Sequence, residues 1–405
     1  MLAPVTTPRL LGHGRAFSHI AQFHPELTAL RRDLHAHPEL GFEEVYTAGR
    51  VQEALRLCGV DEIHPGIGKT GVVGVVRGRG QGSGRMVGLR ADMDALTMTE
   101  HNDFPWRSTR SGMMHGCGHD GHTAMLLGAA EHLSRHKAFK GTVHFIFQPA
   151  EENEGGGRVM VEEGLFDLFP SDAVYGMHNF PGLPRGQFAI RTGTMTAYLD
   201  TFEIVVTGKG SHGAMPETGI DSVVVASQLV NALQTIVSRR IGATDSAVVS
   251  VTQIHGGDTW NVIPETVVLR GTVRTLDATI QAKTEAAMKQ ITEGVAQTHG
   301  AKIDLKYMHG YPGVVNTPKE TDAAVAAAAS LVERAQVHTD IPPAMGSEDF
   351  AFMLQKLPGA YIGIGAGEGE NDPNVHNPYY DFNDAILPLG AAYWVALVKQ
   401  QLPVA

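Results

Sequence analysis

The run His115-Gly116-Cys117-Gly118-His119-Asp120-Gly121-His122 is the densest concentration of ligand-type side chains in the chain. Cys117 and His119 stand two apart where a helical pattern begins, a spacing from which a thiolate and an imidazole can converge on one cation. Sulfur and nitrogen together suit zinc, and nickel, cobalt, iron or manganese in a mixed site. The flanking glycines let the backbone fold closely around an ion. The alternative is a Gly-rich helix start with incidental histidines, since structural zinc motifs normally present two such pairs.

Glu151 and Glu152 follow an apolar run and precede Gly155-Gly156-Gly157. Adjacent carboxylates are usually a solvated surface pair. At a strand end, neighbouring side chains point to opposite sides. One carboxylate could then hold a metal while the other faces an attacking water, as metal-assisted hydrolysis requires. Asp92 and Asp94 share one face of an extended segment. They read either as capping aspartates or, for Asp94, as a carboxylate that orients a ligand histidine. His178 and His376 each sit beside an asparagine at an expected strand or loop end, and gain weight only from that placement.

The elements that must position these residues alternate. Helices are expected over 26–35, 47–58 and 119–136, with strands over 71–76, 86–90, 142–147 and 173–176, the last ending at Met177-His178-Asn179. A Gly/Ser-rich loop is expected at 78–84 and a short helix at 157–164. This rhythm predicts an α/β domain with a mainly parallel sheet and helices on both faces. Ligands gather at the carboxyl ends of such strands, which puts Asp92, Asp94, Glu151, Glu152 and His178 on one rim.

After about Gly186 the order becomes strand 202–207, helix 222–239, strands 247–254 and 266–273, helix 279–298 and strand 302–308. That is the split β-α-β pattern of a ferredoxin-like α+β domain, inserted over 187–310. The first domain, begun over 1–186, resumes over 311–405. It brings a helix at 323–335, a strand at 360–365, glycines at 363, 365, 367 and 369 read as a loop, then His376 and a terminal helix at 385–400.

Composition narrows the class. The chain has 405 residues, 43% apolar and 19% charged, which fits a soluble protein of two domains. A net charge of -11 argues against nucleic acid. No stretch reaches the length of a membrane span. Two cysteines, Cys58 and Cys117, fit a reducing compartment, and the mixed segment from Met1 to His24 reads as a leader without secretory character, so a cytoplasmic location is expected.

Taken in order, several segments resemble the amidohydrolase branch of the co-catalytic metallopeptidases, the group of hippurate hydrolases, bacterial aminoacylases and plant auxin-conjugate hydrolases. They are Arg31 to Glu39, Leu89 to Leu96, Met114 to His122, Gln148 to Glu152, Gly208 to Pro216, Asn261 to Pro264, Gly346 to Phe350 and His376 to Pro378. The resemblance implies that Cys117, His119, Glu152, His178 and His376 hold two divalent metal ions (zinc, manganese, nickel or cobalt). It implies that Glu151 is the general base, that Asp94 orients a ligand, and that His212 and Asn261 meet the substrate's carboxylate or a developing oxyanion. The implied substrate is a small N-acyl amino acid, and the inserted domain would join copies into a homo-oligomer. Where other branches carry a His-x-Asp motif, this chain has Asp92-Met93-Asp94, so Cys117 would replace the missing ligand. Thr97 stands where proline is expected.

Three other readings stay open at this level. They are a dipeptidase or carboxypeptidase on the same scaffold, an enzyme with Cys117 as nucleophile, and a non-catalytic metal- or ligand-binding protein. Met195, Tyr198 and Leu199 could line an acyl pocket or simply pack.

Overall fold

The computed structural model describes residues 15–79, 84–152 and 154–404. Most of the expected leader and the centre of the 78–84 loop lie outside them. The chain divides into two compact units, one of Met1–Met195, Val315–Pro342 and Asp349–Ala405, the other of Thr196–Val314 and Pro343–Glu348.

The first unit is built on an eight-stranded mixed sheet among the described residues. Its order is Glu62–Ile67, Gly71–Arg77, Thr142–Gln148, Met86–Asp92, Ala173–Pro184, Gly359–Gly367, Phe188–Ala189 and Val337–His338. The four strands from Thr142–Gln148 to Gly359–Gly367 run parallel. The strands Glu62–Ile67 and Gly71–Arg77 pair antiparallel at one edge, the first of them too polar to be noticed in the sequence. The parallel centre explains the unbroken apolar runs, because both of its faces are covered. Val87, Leu89 and Ala91 join a core made with the helices His119–His136 and Leu387–Gln401. Arg90 turns to the other face, its guanidinium 5.8 Å from the Phe350 ring centroid.

Three local expectations change. The strand that begins at Ala173 does not end at Asn179 but continues to Pro184, so His178 lies inside it. Gly363, Gly365 and Gly367 belong to the neighbouring strand rather than to a loop. A Cβ on Gly363 would stand 2.2 Å from the Phe180 ring, and one on Gly365 would stand 2.1 Å from the Pro184 carbonyl oxygen. Their small size lets two strands close on each other. The Ala-rich helix is Pro318–Ala329, starting earlier because Pro318 suits a first helical turn.

The second unit is a four-stranded antiparallel sheet in the order Ala247–His255, Thr266–Thr275, Tyr198–Thr207, Lys302–His309. Helices Ser222–Thr235 and Ala278–His299 pack on one face. Their Val225, Leu229, Leu233, Met288 and Ile291 meet Phe202, Ile204, Val206, Val267 and Leu269. Alternation along Tyr198–Thr207 puts Phe202, Ile204 and Val206 inward and leaves Glu203 for Arg270 on the outer face. Asp221 and Asp277 cap the two helices, each accepting two backbone N–H groups. The first helix ends at Thr235 and passes into a wider turn over Ile236–Arg240. This connectivity and strand order is the ferredoxin-like arrangement. Among the described residues no helix is long and apolar enough to cross a membrane.

Candidate metal centre

Cys117 and His119 flank Gly118, which ends the loop ahead of the helix His119–His136 with φ +93°. Only glycine fits there. A Cβ would stand 2.4 Å from Asn179 Oδ1 and 2.7 Å from the Tyr380 hydroxyl. The tight turn brings the thiol and the imidazole into the same buried space.

His178 enters from the sheet. Its Nε2 lies 3.3 Å from Cys117 Sγ, and its Nδ1 donates to the Asn179 carbonyl at 2.8 Å. His119 is arranged in the same way, with Nδ1 3.2 Å from Asp94 Oδ1 and a buried Nε2 that has no hydrogen-bond partner among the described residues. In both rings the Nδ1 proton is fixed by an acceptor, which leaves the Nε2 lone pair for the shared space.

Glu152 and His376 complete the group. The other Asp94 oxygen accepts the Glu152 amide at 2.8 Å, and His376 Nε2 stands 3.2 Å from Glu152 Oε1. The His376 amide donates to Gly116 O at 2.7 Å, tying its loop to the cysteine segment. Ala150 (φ +52°) and His376 (φ +62°) both hold left-handed backbone conformations that are uncommon outside glycine. Strain of this kind concentrates where side-chain placement matters.

Donor atoms of Cys117, His119 and His178 lie within 4.8 Å of one another, as do those of Cys117, Glu152 and His376, and those of His119, Glu151 and Glu152. The first two triads share Cys117. Thiolate, imidazole and carboxylate donors around an orphaned buried nitrogen fit divalent transition-metal ions.

The electrostatics agree. Burial lowers the proton affinity of His119, but the nearby Asp92 and Cys117 more than offset it and raise the pKa well above the usual histidine value. Hydrogen bonds to Cys117 and Glu152 push His376 up to about 10. Burial, reinforced by His122, holds His178 well below the usual value, and burial pushes the Cys117 thiol up. The cluster attracts positive charge, and a cation can take the place of those protons.

Several positioning contacts escaped the sequence reading. Asp92 accepts from His122 Nδ1 at 2.6 Å and from Arg90 at 2.6 Å, while His122 Nε2 is 2.6 Å from Asn179 Oδ1. Both nitrogens of His122 are engaged, so it supports the cluster from behind. Arg90 and Gln148 also reach Asp349 Oδ1, at 3.0 and 2.7 Å, and Asp349 Oδ2 takes the Gly157 amide. Asp120, beside His119, is held by His35 at 2.9 Å. His115, in the same motif, is buried, and burial pushes its pKa down to about 4. The i, i+3 spacing of His119 and His122 was the available signal for His122.

His212 and Asn261 lie in the second unit. Ser211–His212 pairs with Val262–Ile263, which sets the two segments side by side, and the Gly213 amide donates to the Asn261 carbonyl at 2.7 Å. Exposed His212 accepts the Ala214 amide on Nδ1 at 3.0 Å, so its neutral form carries the proton on Nε2, outward as a donor.

Residues 88–400 match the family model described as peptidase family M20/M25/M40. The hippurate hydrolase of Campylobacter jejuni is 40% identical over 377 residues, covering 93% of this chain and 97% of the relative. Thermostable carboxypeptidase 1 of Saccharolobus solfataricus is 39% identical over 370 residues, covering 89% and 92%. The YXEP protein of Bacillus subtilis, a solved structure described as a dinuclear metal binding peptidase, is 36% identical with a TM-score of 0.81, covering 95% of this chain and 100% of its own. With most of its length matched in both sequence and fold, this chain belongs to peptidase family M20/M25/M40.

Proposed function

We propose that the chain is a metal-dependent amidohydrolase that cleaves the amide bond of N-acyl amino acids, releasing a carboxylic acid and a free amino acid. The observation that carries this reading is the convergence of Cys117, His119 and His178 on one side and Cys117, Glu152 and His376 on the other. These five residues would hold two divalent ions, zinc, manganese, nickel or cobalt, and Cys117 belongs to both triads. The pair of ions would supply Lewis acidity, activating a water and polarising the amide carbonyl.

The protein's own groups do the rest. Asp94 keeps the His119 ring and the Glu152 backbone in register through its two oxygens. Glu151 takes a proton from the attacking water and delivers it to the leaving amine nitrogen. Its donor atoms lie close to those of His119 and Glu152, which supports that role. His212, with a proton on Nε2, and Asn261 bind the substrate carboxylate or the oxyanion.

The second unit would also join copies of the chain. Its edge strand Ala247–His255 leaves Val248 and Ile254 exposed, and Trp260 is fully exposed; uncovered edges of this sort favour pairing. Neither cysteine is in a disulfide, which fits a reducing, cytoplasmic compartment.

A carboxypeptidase is the second reading, favoured by the Saccharolobus solfataricus relative. Benzoyl-, acetyl- and aminoacyl-capped amino acids assayed side by side on metal-reconstituted enzyme separate the two. Fastest turnover on the acyl substrates supports the proposal, and exclusive turnover of peptides overturns it.

A further inference from the structure

We propose that His19, His132 and His136 form a separate site for one late-transition divalent cation, zinc, nickel or copper, that staples the helix Arg15–Gln22 to the helix His119–His136. His132 and His136 are one turn apart on the same helix, their ring centroids 4.5 Å apart. The His19 ring comes from the other helix, 5.1 Å from His132 and 4.8 Å from His136. One nitrogen from each ring lies within 4.8 Å of the others.

His132 Nδ1 and His19 Nδ1 are 3.2 Å apart. With zinc–nitrogen bonds of about 2.0–2.1 Å, the edge of a tetrahedral site is about 3.3 Å. A single N–H···N bond satisfies two rings, whereas a cation would engage all three.

The surroundings select the kind of ion. The three ligands are neutral nitrogen donors with no carboxylate among them, and imidazole favours zinc, nickel and copper over magnesium, calcium or manganese. Burial, with His136, Lys399 and His19 beside it, pushes His132 down to about 3, and burial also lowers His19, so these lone pairs are open near neutral pH. Lys399 on the terminal helix and Arg135 add positive charge, and Glu131, paired with Arg135, offsets part of it. The site is accordingly of moderate affinity, and exposed His136 gives the ion its entry.

Its consequence is mechanical. Ile20 of the N-terminal helix is fully buried in the first unit's core, and a cation would fix that helix to the one whose first residue is His119. The site is independent of the catalytic proposal.

The test starts from full-length protein with its catalytic centre loaded and excess metal removed. Zinc or copper(II) is titrated into the wild type, His19→Gln and His136→Gln, following stoichiometry by calorimetry and, for copper, imidazole nitrogen coupling by electron paramagnetic resonance. One additional equivalent with nitrogen donors, weakened at least tenfold in either variant while kcat/KM is unchanged, supports the site. The ion should also raise the wild-type Tm and not that of His136→Gln, an exposed position where folding is not at risk. Absence of an additional equivalent at micromolar metal, or binding that is the same in all three proteins, overturns it.

Discussion

Asp94 Oδ1 stands 3.2 Å from His119 Nδ1 while Asp94 Oδ2 accepts the Glu152 amide at 2.8 Å, so one buried carboxylate sets both a ring and a main-chain segment of the metal centre. Removing it should loosen both at once. Asp94→Ala is expected to lower metal affinity by about 10- to 100-fold, the usual cost of losing a partner behind a ligand. Competition with a calibrated chelator measures it, and unchanged affinity would deny Asp94 this role.

Glu151→Gln separates binding from proton transfer. The variant should retain both ions, because the five proposed ligands remain, yet lose roughly 100- to 10,000-fold in kcat, the range for a positioned general base. Elemental analysis beside steady-state kinetics on one sample checks both halves. A metal-loaded variant with near-normal turnover would remove Glu151 from the mechanism.

Gly118→Ala should damage fold and site together. The new Cβ meets Asn179 and Tyr380, and the backbone is already at φ +93°. A cost of about 1–3 kcal/mol in stability is expected from the backbone conformation alone, with metal affinity reduced because Cys117 and His119 shift. Thermal melting of the apo protein isolates the first effect and metal titration the second.

His35 supplies a pH test. Its ring is buried between Asp120 and Glu100; burial opposes its charge, and the two carboxylates prevail, pushing it up to about 9. The folded value exceeds the unfolded value of about 6.5. The protonated ring therefore adds stability that is full below about pH 6.5 and is lost as pH rises through about 9. Urea unfolding at pH 6 and pH 9.5 should show the gap between wild type and His35→Gln narrowing at the higher pH. A gap that widens would contradict the assignment.

The sequence carried the element order well because its signals are local. The helix His119–His136 and the strands around it follow from apolar runs closed by glycine or acidic residues. What it could not carry depends on distant partners. Asp92 was legible as a rim residue, but its pairing with His122 and Arg90 was not, since side chains from separate segments meet only after folding. His178 was expected at a strand end and lies within the strand, because the sheet pairing with Gly359–Gly367 extends it to Pro184. The closely packed glycines at 363, 365 and 367 mimic a loop in composition, and only the neighbouring Phe180, Pro184 and Pro181 explain them.

In the proposed function, separate stretches of chain converge to hold a pair of cations through Cys117, His119, Glu152, His178 and His376. Its most direct measurement is elemental analysis of active, carefully purified protein bearing His19→Gln, so that only this centre is counted, alongside the same protein with Cys117→Ala added. Two equivalents of divalent transition metal are expected in the first, lost together with acyl amino acid hydrolysis in the second. Full activity with no stoichiometric metal would contradict it.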